Sequence, residues 1–297
     1  MTKLKTLTPY YGGKFNKVGK FISQILPVHR HYCEPCGGMA GVMMLKEPSF
    51  CEIYNDIDNN IVTLFEVVRD PDTFHELERR LDLTPYSREE WRRCQRTFKT
   101  ESDRIEKARK VYVLLSMGYL GSLGNKSFNY GGIKYESSVS RTYFNGLKSL
   151  PAIHRRIKDL IIENQDCLVV AKKWDSNETC FYWDNPYLRE TRVTYNDYSF
   201  EMTDEQHQNT LDFVTSCKGK VIMSGYAHKM YTEALEANGF SRIDLATFSR
   251  GSRSNGKGYE SKRTECLWIN YQAKDFSNPL FESIPNQRII KSLNHDQ

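Results

Sequence analysis

Tyr32-Cys33-Glu34-Pro35-Cys36-Gly37-Gly38-Met39-Ala40-Gly41, followed after eight residues by Phe50-Cys51-Glu52-Ile53-Tyr54-Asn55-Asp56-Ile57-Asp58, is the stretch that decides the fold. It reads as a short strand, a glycine turn, a helix begun by Val42-Met43-Met44-Leu45, and a second strand ending in carboxylates. That alternation points to an α/β protein with a ligand site beyond the strand ends. Glycines at 37, 38 and 41 let the backbone approach a ligand closely. Their spacing is not the G-x-G-x-x-G of a dinucleotide site, which suggests a smaller nucleoside ligand. Asp56 stands where an acid can accept hydrogen bonds from ribose hydroxyls, and one of Asp56 and Asp58 is expected to cap the helix from Asn59 to Arg69. Upstream, Pro9-Tyr10-Tyr11-Gly12-Gly13-Lys14 sets an aromatic pair before a glycine turn and a cation after it. Tyr10 or Tyr11 can stack on a purine, and Lys14 can reach a carboxylate.

A second segment carries chemistry of its own. Cys180-Phe181-Tyr182-Trp183 is an apolar run of the kind found in buried strands, and it stops at Asp184-Asn185-Pro186-Tyr187, where proline cannot continue a ladder. A polar loop at the carboxyl end of such a strand is a ligand position in open α/β sheets. An exocyclic base amine is a poor nucleophile because its lone pair is delocalised into the ring. Two acceptors that take its N–H bonds push the nitrogen toward tetrahedral geometry and aim the lone pair at an incoming methyl group. The Asp184 carboxylate can be one acceptor and the Asn185 carbonyl, held by Pro186, the other, while Tyr187 offers a stacking face. The same tetrapeptide also suits a plain turn.

These motifs, in this order, resemble the Dam-like class of N6-adenine DNA methyltransferases of bacteria and phages: Tyr-Tyr-Gly-Gly-Lys, Glu-Pro-x-Gly-Gly, Tyr-Asn-Asp-Ile-Asp, a long basic insert, then Asp-Asn-Pro-Tyr. The likeness continues through Lys220-Val221-Ile222-Met223-Ser224-Gly225-Tyr226 and Lys262-Arg263-Thr264-Glu265-Cys266-Leu267-Trp268, so it covers nearly the whole chain. It implies S-adenosylmethionine bound by Tyr10, Lys14, Glu34, Pro35, Gly37 and Asp56, and a flipped adenine held by Asp184, Pro186 and Tyr187. The chain departs from the family's usual Asp-Pro-Pro-Tyr at Asn185 and has Cys36 where phenylalanine is common. The second clamp residue acts through its carbonyl, so any side chain can serve there, while losing the proline is expected to loosen the loop and slow catalysis.

Between donor and clamp motifs the charge changes. Residues 86–158 hold 16 Lys and Arg against 6 Asp and Glu, a net of +10 where the whole chain has +5. A basic segment on an otherwise acidic chain is the footprint of phosphate binding. Helical patterning over Ser87 to Arg96 and Glu101 to Leu115 precedes a Gly, Ser, Asn and Tyr-rich stretch from Gly118 to Tyr143. Such a stretch can follow a groove of duplex DNA, with Tyr119 as a wedge and Asn125, Lys126, Asn129 and Arg141 as contacts. A second basic loop, Ser249 to Gly258, offers Arg250, Arg253 and Lys257 to flanking phosphates.

The expected architecture is therefore α/β: a seven-stranded methyltransferase sheet in residues 1–85 and 159–297, with a mostly helical DNA-recognition insert at 86–158. Strands are expected near Tyr32, Ile53, Leu168-Val169-Val170, Phe181 to Trp183, Val221 to Met223, Ile243 to Phe248 and Leu267 to Tyr271. Thr203-Asp204-Glu205-Gln206 reads as a capping box, and Gly239 as the end of a helix from Lys229. Mean hydropathy of -0.62, no apolar run long enough for a span and no secretory leader predict a cytoplasmic protein of a bacterial or phage-infected cell, plausibly monomeric, with no membrane partner. Eight scattered cysteines give only the one pair Cys33 and Cys36 at metal-ligand spacing, so no metal site and no disulfide framework is expected. Cytosine N4 methylation follows the same amine logic, an RNA or protein-amide substrate is disfavoured by the insert, and a catalytically silent DNA-binding module of the same fold is the reading from another class.

Overall fold

The structure, a computed structural model, describes residues 4–123, 127–131, 138–192, 199–250, 260–273 and 288–290, without the side chains of 246–250, 260–263 and 288–290. The protein is α/β, and its strands follow the hydrogen-bonded order β3-β2-β1-β4-β5-β7-β6-β8. In chain order these are β1 (His31–Glu34), β2 (Cys51–Asn55), β3 (Ile161–Glu163), β4 (Thr179–Trp183), β5 (Lys220–Gly225), β6 (Ser241–Arg250), β7 (Glu260–Ile269) and β8 (Arg288–Ile290). Seven of them make a mixed sheet, six where strands are expected and β3 where none is, and β8 adds a short antiparallel edge to β6. Two compact units divide the chain: Met1–Gln24, Glu34–Val170, Asn196–Glu201, and Ile25–Cys33, Ala171–Tyr195, Met202–Gln297.

In the first unit β2 and β3 pair in parallel, Ile53 opposite Ile161. Among the described residues six α-helices lie between them in the chain: α2 (Asn59–Arg69), α3 (Pro71–Asp82), α4 (Arg88–Thr97), α5 (Arg104–Met117), α6 (Val139–Leu147) and α7 (Leu150–Ile157). The first five are capped by side chains, because Asp58, Asp70, Ser87, Asp103 and Ser138 each accept a backbone N–H of the first turn. The helix α5 is buried on nearly all sides from Ala108 to Met117 and packs against α2, α3 and α4. Two cations lie in that packing. Arg109 pairs with Glu90 at 2.8 Å and Glu106 at 2.6 Å, and Lys110 with Glu101 at 2.5 Å.

In the second unit β1 pairs with β4, and β4 with β5, all parallel, while β7 runs antiparallel to both β5 and β6. All five residues of β4 are buried, as expected of a parallel strand covered on both faces. The helix α9 (Asp204–Ser216) opens with the expected capping box at Thr203 and Gln206, and Gly239, at φ 80°, follows α10 (Lys229–Glu236).

Two expected elements differ. Leu168-Val169-Val170 is not a strand but part of α8 (Cys167–Trp174), with the Asp166 carboxylate accepting the Leu168 N–H at 2.9 Å. Three apolar residues do not distinguish strand from helix, and the side-chain cap decides. Val42 to Leu45 forms successive turns rather than an α-helix. The Met43 N–H goes to the Glu34 carboxylate at 2.8 Å, which breaks the helical ladder, and Ala40 has φ 51°.

A buried ion cluster closes this turn. Glu52 on β2 accepts Lys46 Nζ at 2.5 Å and Arg156 of α7 at 2.5 and 2.9 Å, and Arg156 also donates to the Met43 carbonyl at 2.7 Å. Burial pushes the Glu52 carboxyl up, but the hydrogen bonds and charges of Arg156 and Lys46 outweigh it and hold it below the usual range. Burial lowers the Lys46 ammonium despite Glu52. Glu52→Gln leaves two buried cations facing one another and is expected to cost about 3–5 kcal/mol of stability. Urea denaturation checks this, and an unchanged midpoint would exclude the cluster as a structural anchor.

Candidate functional site

The first unit assembles most of the residues expected to bind a nucleoside donor. The glycine turn leaves β1 at its carboxyl end, and Gly37 donates to the Asn55 carbonyl at 2.8 Å while Asn55 Nδ2 returns to the Pro35 carbonyl at 2.8 Å. A Cβ at Gly37 would stand 2.4 Å from Tyr54 Cε2, so only glycine lets the turn lie against this ring. Gly38, at φ 49°, donates its N–H to Asp56 Oδ2 at 2.8 Å and accepts the Tyr54 hydroxyl at 2.8 Å. The Asp58 N–H donates to Asp56 Oδ1 at 2.8 Å, while Asp58 caps α2, as expected of one of the two acids.

The loop bearing Tyr10 to Lys14 covers this turn. The Tyr10 ring lies 3.0 Å from where a Gly38 Cβ would be, and the backbone of Lys14 and Phe15 passes within 2.8–3.1 Å of the corresponding point on Gly41. Lys14 is buried and its ammonium donates to the Gly12 carbonyl at 3.2 Å. Tyr11 donates its N–H to the Gly121 carbonyl at 3.0 Å, so the loop also touches the segment that follows α5. Tyr10, Lys14, Pro35, Gly37 and Asp56 are thus gathered around one glycine cradle, whereas the Glu34 carboxylate turns inward to Met43. A cradle that a Cβ would fill, an aromatic ring over it and an acid at the second strand's end suit a nucleoside donor such as S-adenosylmethionine. Burial raises the Asp56 carboxyl to about 6 against the lowering effect of its backbone hydrogen bonds. Perturbed acids of this kind concentrate at functional sites.

The clamp belongs to the second unit. Asp184 follows the last residue of β4, half-buried, and its Oδ1 accepts the Ser224 hydroxyl of β5 at 2.9 Å. Ser224 is also 3.1 Å from the Tyr182 hydroxyl. Asn185 is buried, and Tyr187 is 9% exposed, its ring edge-to-face with Tyr226 at 4.7 Å and its hydroxyl donating to the Glu265 carboxylate. Ser224, Tyr226 and Glu265 lie in two segments that the motif resemblance spans, yet neither spacing nor residue type marked them as site residues. Their partners come from β4, β5 and β7, and only the sheet register brings those strands together.

The expected DNA contacts are more scattered. Gly118 forms an isolated antiparallel bridge with Phe128, and next to it Tyr119 and Leu120 are 40% and 49% exposed, with Leu120 at φ 63°. The Asn129 carbonyl accepts the Tyr86 hydroxyl and its side chain the Gly131 N–H, so this side chain is engaged within the protein. Arg141 is exposed on α6 and Arg250 ends β6. Asn125, Lys126, Arg253 and Lys257 lie outside the described residues. Several cations of residues 86–158 are paired: Arg93 with Glu90, Arg96 with Glu89, Arg109 with Glu106 and Lys110 with Glu101 inside the segment, and Arg104 with Glu66 and Arg156 with Glu52 outside it. Arg88 lies over the rings of Phe128 and Tyr130, at 5.2 and 5.6 Å from their centroids. Among the described residues no cluster of His, Cys, Asp or Glu has the arrangement of a metal site, and no helix is long and apolar enough to cross a membrane.

A scan against protein-family models matches none, and a search of curated proteins finds no match. The family resemblance therefore rests on the motifs themselves.

Asp56 gives a prediction of definite sign. Its folded carboxyl holds a proton up to about 6 against an ordinary value of 3.8, so the folded state binds more protons than the unfolded state between those values. Its contribution is most favourable below 3.8 and declines as pH rises to about 6. Asp56→Asn should remove that decline, seen as a flatter dependence of the urea midpoint on pH over this window.

Proposed function

We propose that the chain is an S-adenosylmethionine-dependent DNA methyltransferase of the Dam-like kind, acting on the N6 amine of an adenine rotated out of a duplex. The observation that carries this reading is the clamp: Asp-Asn-Pro-Tyr directly follows the fully buried β4, and its acid and its tyrosine are each held by a side chain from another strand. A plain surface turn needs neither restraint. The doubly wound part of the strand order and the glycine cradle with Asp56 at the end of β2 support a nucleoside ligand.

In this reading the donor supplies an electrophilic sulfonium methyl. Asp184, oriented by Ser224, accepts one N–H of the target amine, the Asn185 carbonyl accepts the other, and the nitrogen lone pair is thereby aimed in line at the methyl carbon. The C–N bond forms as the S–C bond breaks, and the proton then lost from the amine passes to Asp184 or to water. No covalent enzyme intermediate is required. Tyr187 supports the base by stacking, and the exposed Tyr119 and Leu120 are suited to enter the stack that the base leaves. Duplex DNA is the partner this assigns, and cytoplasm the compartment.

Incubation with methyl-labelled S-adenosylmethionine and unmethylated genomic DNA, followed by digestion and mass analysis of nucleosides, tests the reading. Labelled N6-methyladenine is expected. N4-methylcytosine would move the substrate, and no methylated nucleoside despite donor and DNA binding would leave the silent DNA-binding module. Asp184→Ala should abolish transfer while leaving donor affinity within about threefold, since removing a preorganised acceptor costs on the order of 10²–10³ in rate. Substantial residual turnover would remove Asp184 from the clamp.

A further inference from the structure

The Glu265 carboxylate is 5% exposed on β7, a costly place for a charge unless donors reach it. One donor is the hydroxyl of Tyr187, the last residue of the clamp. In the antiparallel register of β5 and β7, Gly225 pairs with Cys266, and the next positions outward are Tyr226 and Glu265. Tyr226 sets its ring edge-to-face against Tyr187, with an interplanar angle of 75°. The tyrosine is therefore held at two points: the edge contact restricts rotation of the ring, and the hydroxyl bond fixes its far end.

A ring that only filled space would not need an ionisable partner carried from a strand nearly eighty residues away. We propose that Glu265 is a positioning residue that locks the plane of the Tyr187 ring, so that the clamp presents a preformed face to the target base. The proposal rests on the methyltransferase reading and deepens it. Glu265 touches neither base nor donor; it acts through Tyr187. Locking the ring before binding removes the rotational freedom that base capture would otherwise have to remove, which is how preorganisation raises affinity and rate.

The test is a double-mutant cycle on the full chain, read as kcat and KM for methyl transfer to DNA and as the fluorescence change of duplex DNA carrying 2-aminopurine at the target position. Tyr187→Phe keeps the ring and removes the hydroxyl, and Glu265→Ala removes its acceptor. Each is expected to lower kcat/KM roughly tenfold, the scale of one hydrogen bond to a charged group. The double variant should be no worse than either alone, because both remove the same interaction. Glu265→Gln retains an acceptor and should recover most of the loss, which separates positioning from general damage to the fold. Donor affinity should not change in any of them. Multiplicative losses in the double variant, or a Tyr187→Phe enzyme at wild-type rates, would overturn the lock while leaving the methyltransferase reading standing. A wild-type chain that transfers no methyl to DNA overturns both.

Discussion

The backbone of Met43 is held from both sides, and the glycine cradle depends on it. Its N–H enters the Glu34 carboxylate, and its carbonyl receives Arg156, which is itself anchored by Glu52 and, through it, by Lys46. This exchange stops a helix where the apolar run would otherwise begin one. The segment after β1 becomes a chain of turns, which lets Gly37, Gly38 and Gly41 face Tyr54, Tyr10 and the backbone of Lys14 at distances no side chain could tolerate. A buried cluster with two cations and one anion is an expensive anchor, since such groups gain stability only when every charge is bonded. What it contributes is definition: it ties β2, the glycine turn and α7 of the insert to one backbone unit.

The clamp uses the same principle with neutral and singly charged partners. Ser224 steadies Asp184, and Glu265 steadies Tyr187, so the two chemically important side chains of the tetrapeptide are each held from a neighbouring strand. Both ends of the tetrapeptide are therefore restrained by the sheet, with the buried Asn185 between them.

The helical insert changes the meaning of its charge. Counted along the chain it is strongly basic, yet Arg109 and Lys110 are packed inside α5's surroundings and several arginines of α4 pair along their own helix. Those pairs use acids already counted within the segment, Arg104 and Arg156 pair with Glu66 and Glu52 outside it, and Arg88, Arg141, Lys148, Arg155 and Lys158 are exposed. A count of charges measures both roles together, because pairing depends on which helices meet.

The sequence by itself determined the α/β class, the positions of β1, β2, β4, β5, β6 and β7, and the caps that start α2 and α9. Each is a local signal: an apolar run, a small polar residue ahead of a helix, a glycine at positive φ. It also placed Asp56 and Asp184 at strand ends. Only the tertiary structure decided that Val42 to Leu45 forms turns and that Leu168 to Val170 is helical. It alone brought Ser224, Tyr226 and Glu265 to the clamp, because these depend on a carboxylate arriving from another element or on the register of β5 against β7. Local propensity is written residue by residue, whereas a hydrogen bond between distant strands exists only once the sheet has chosen its order.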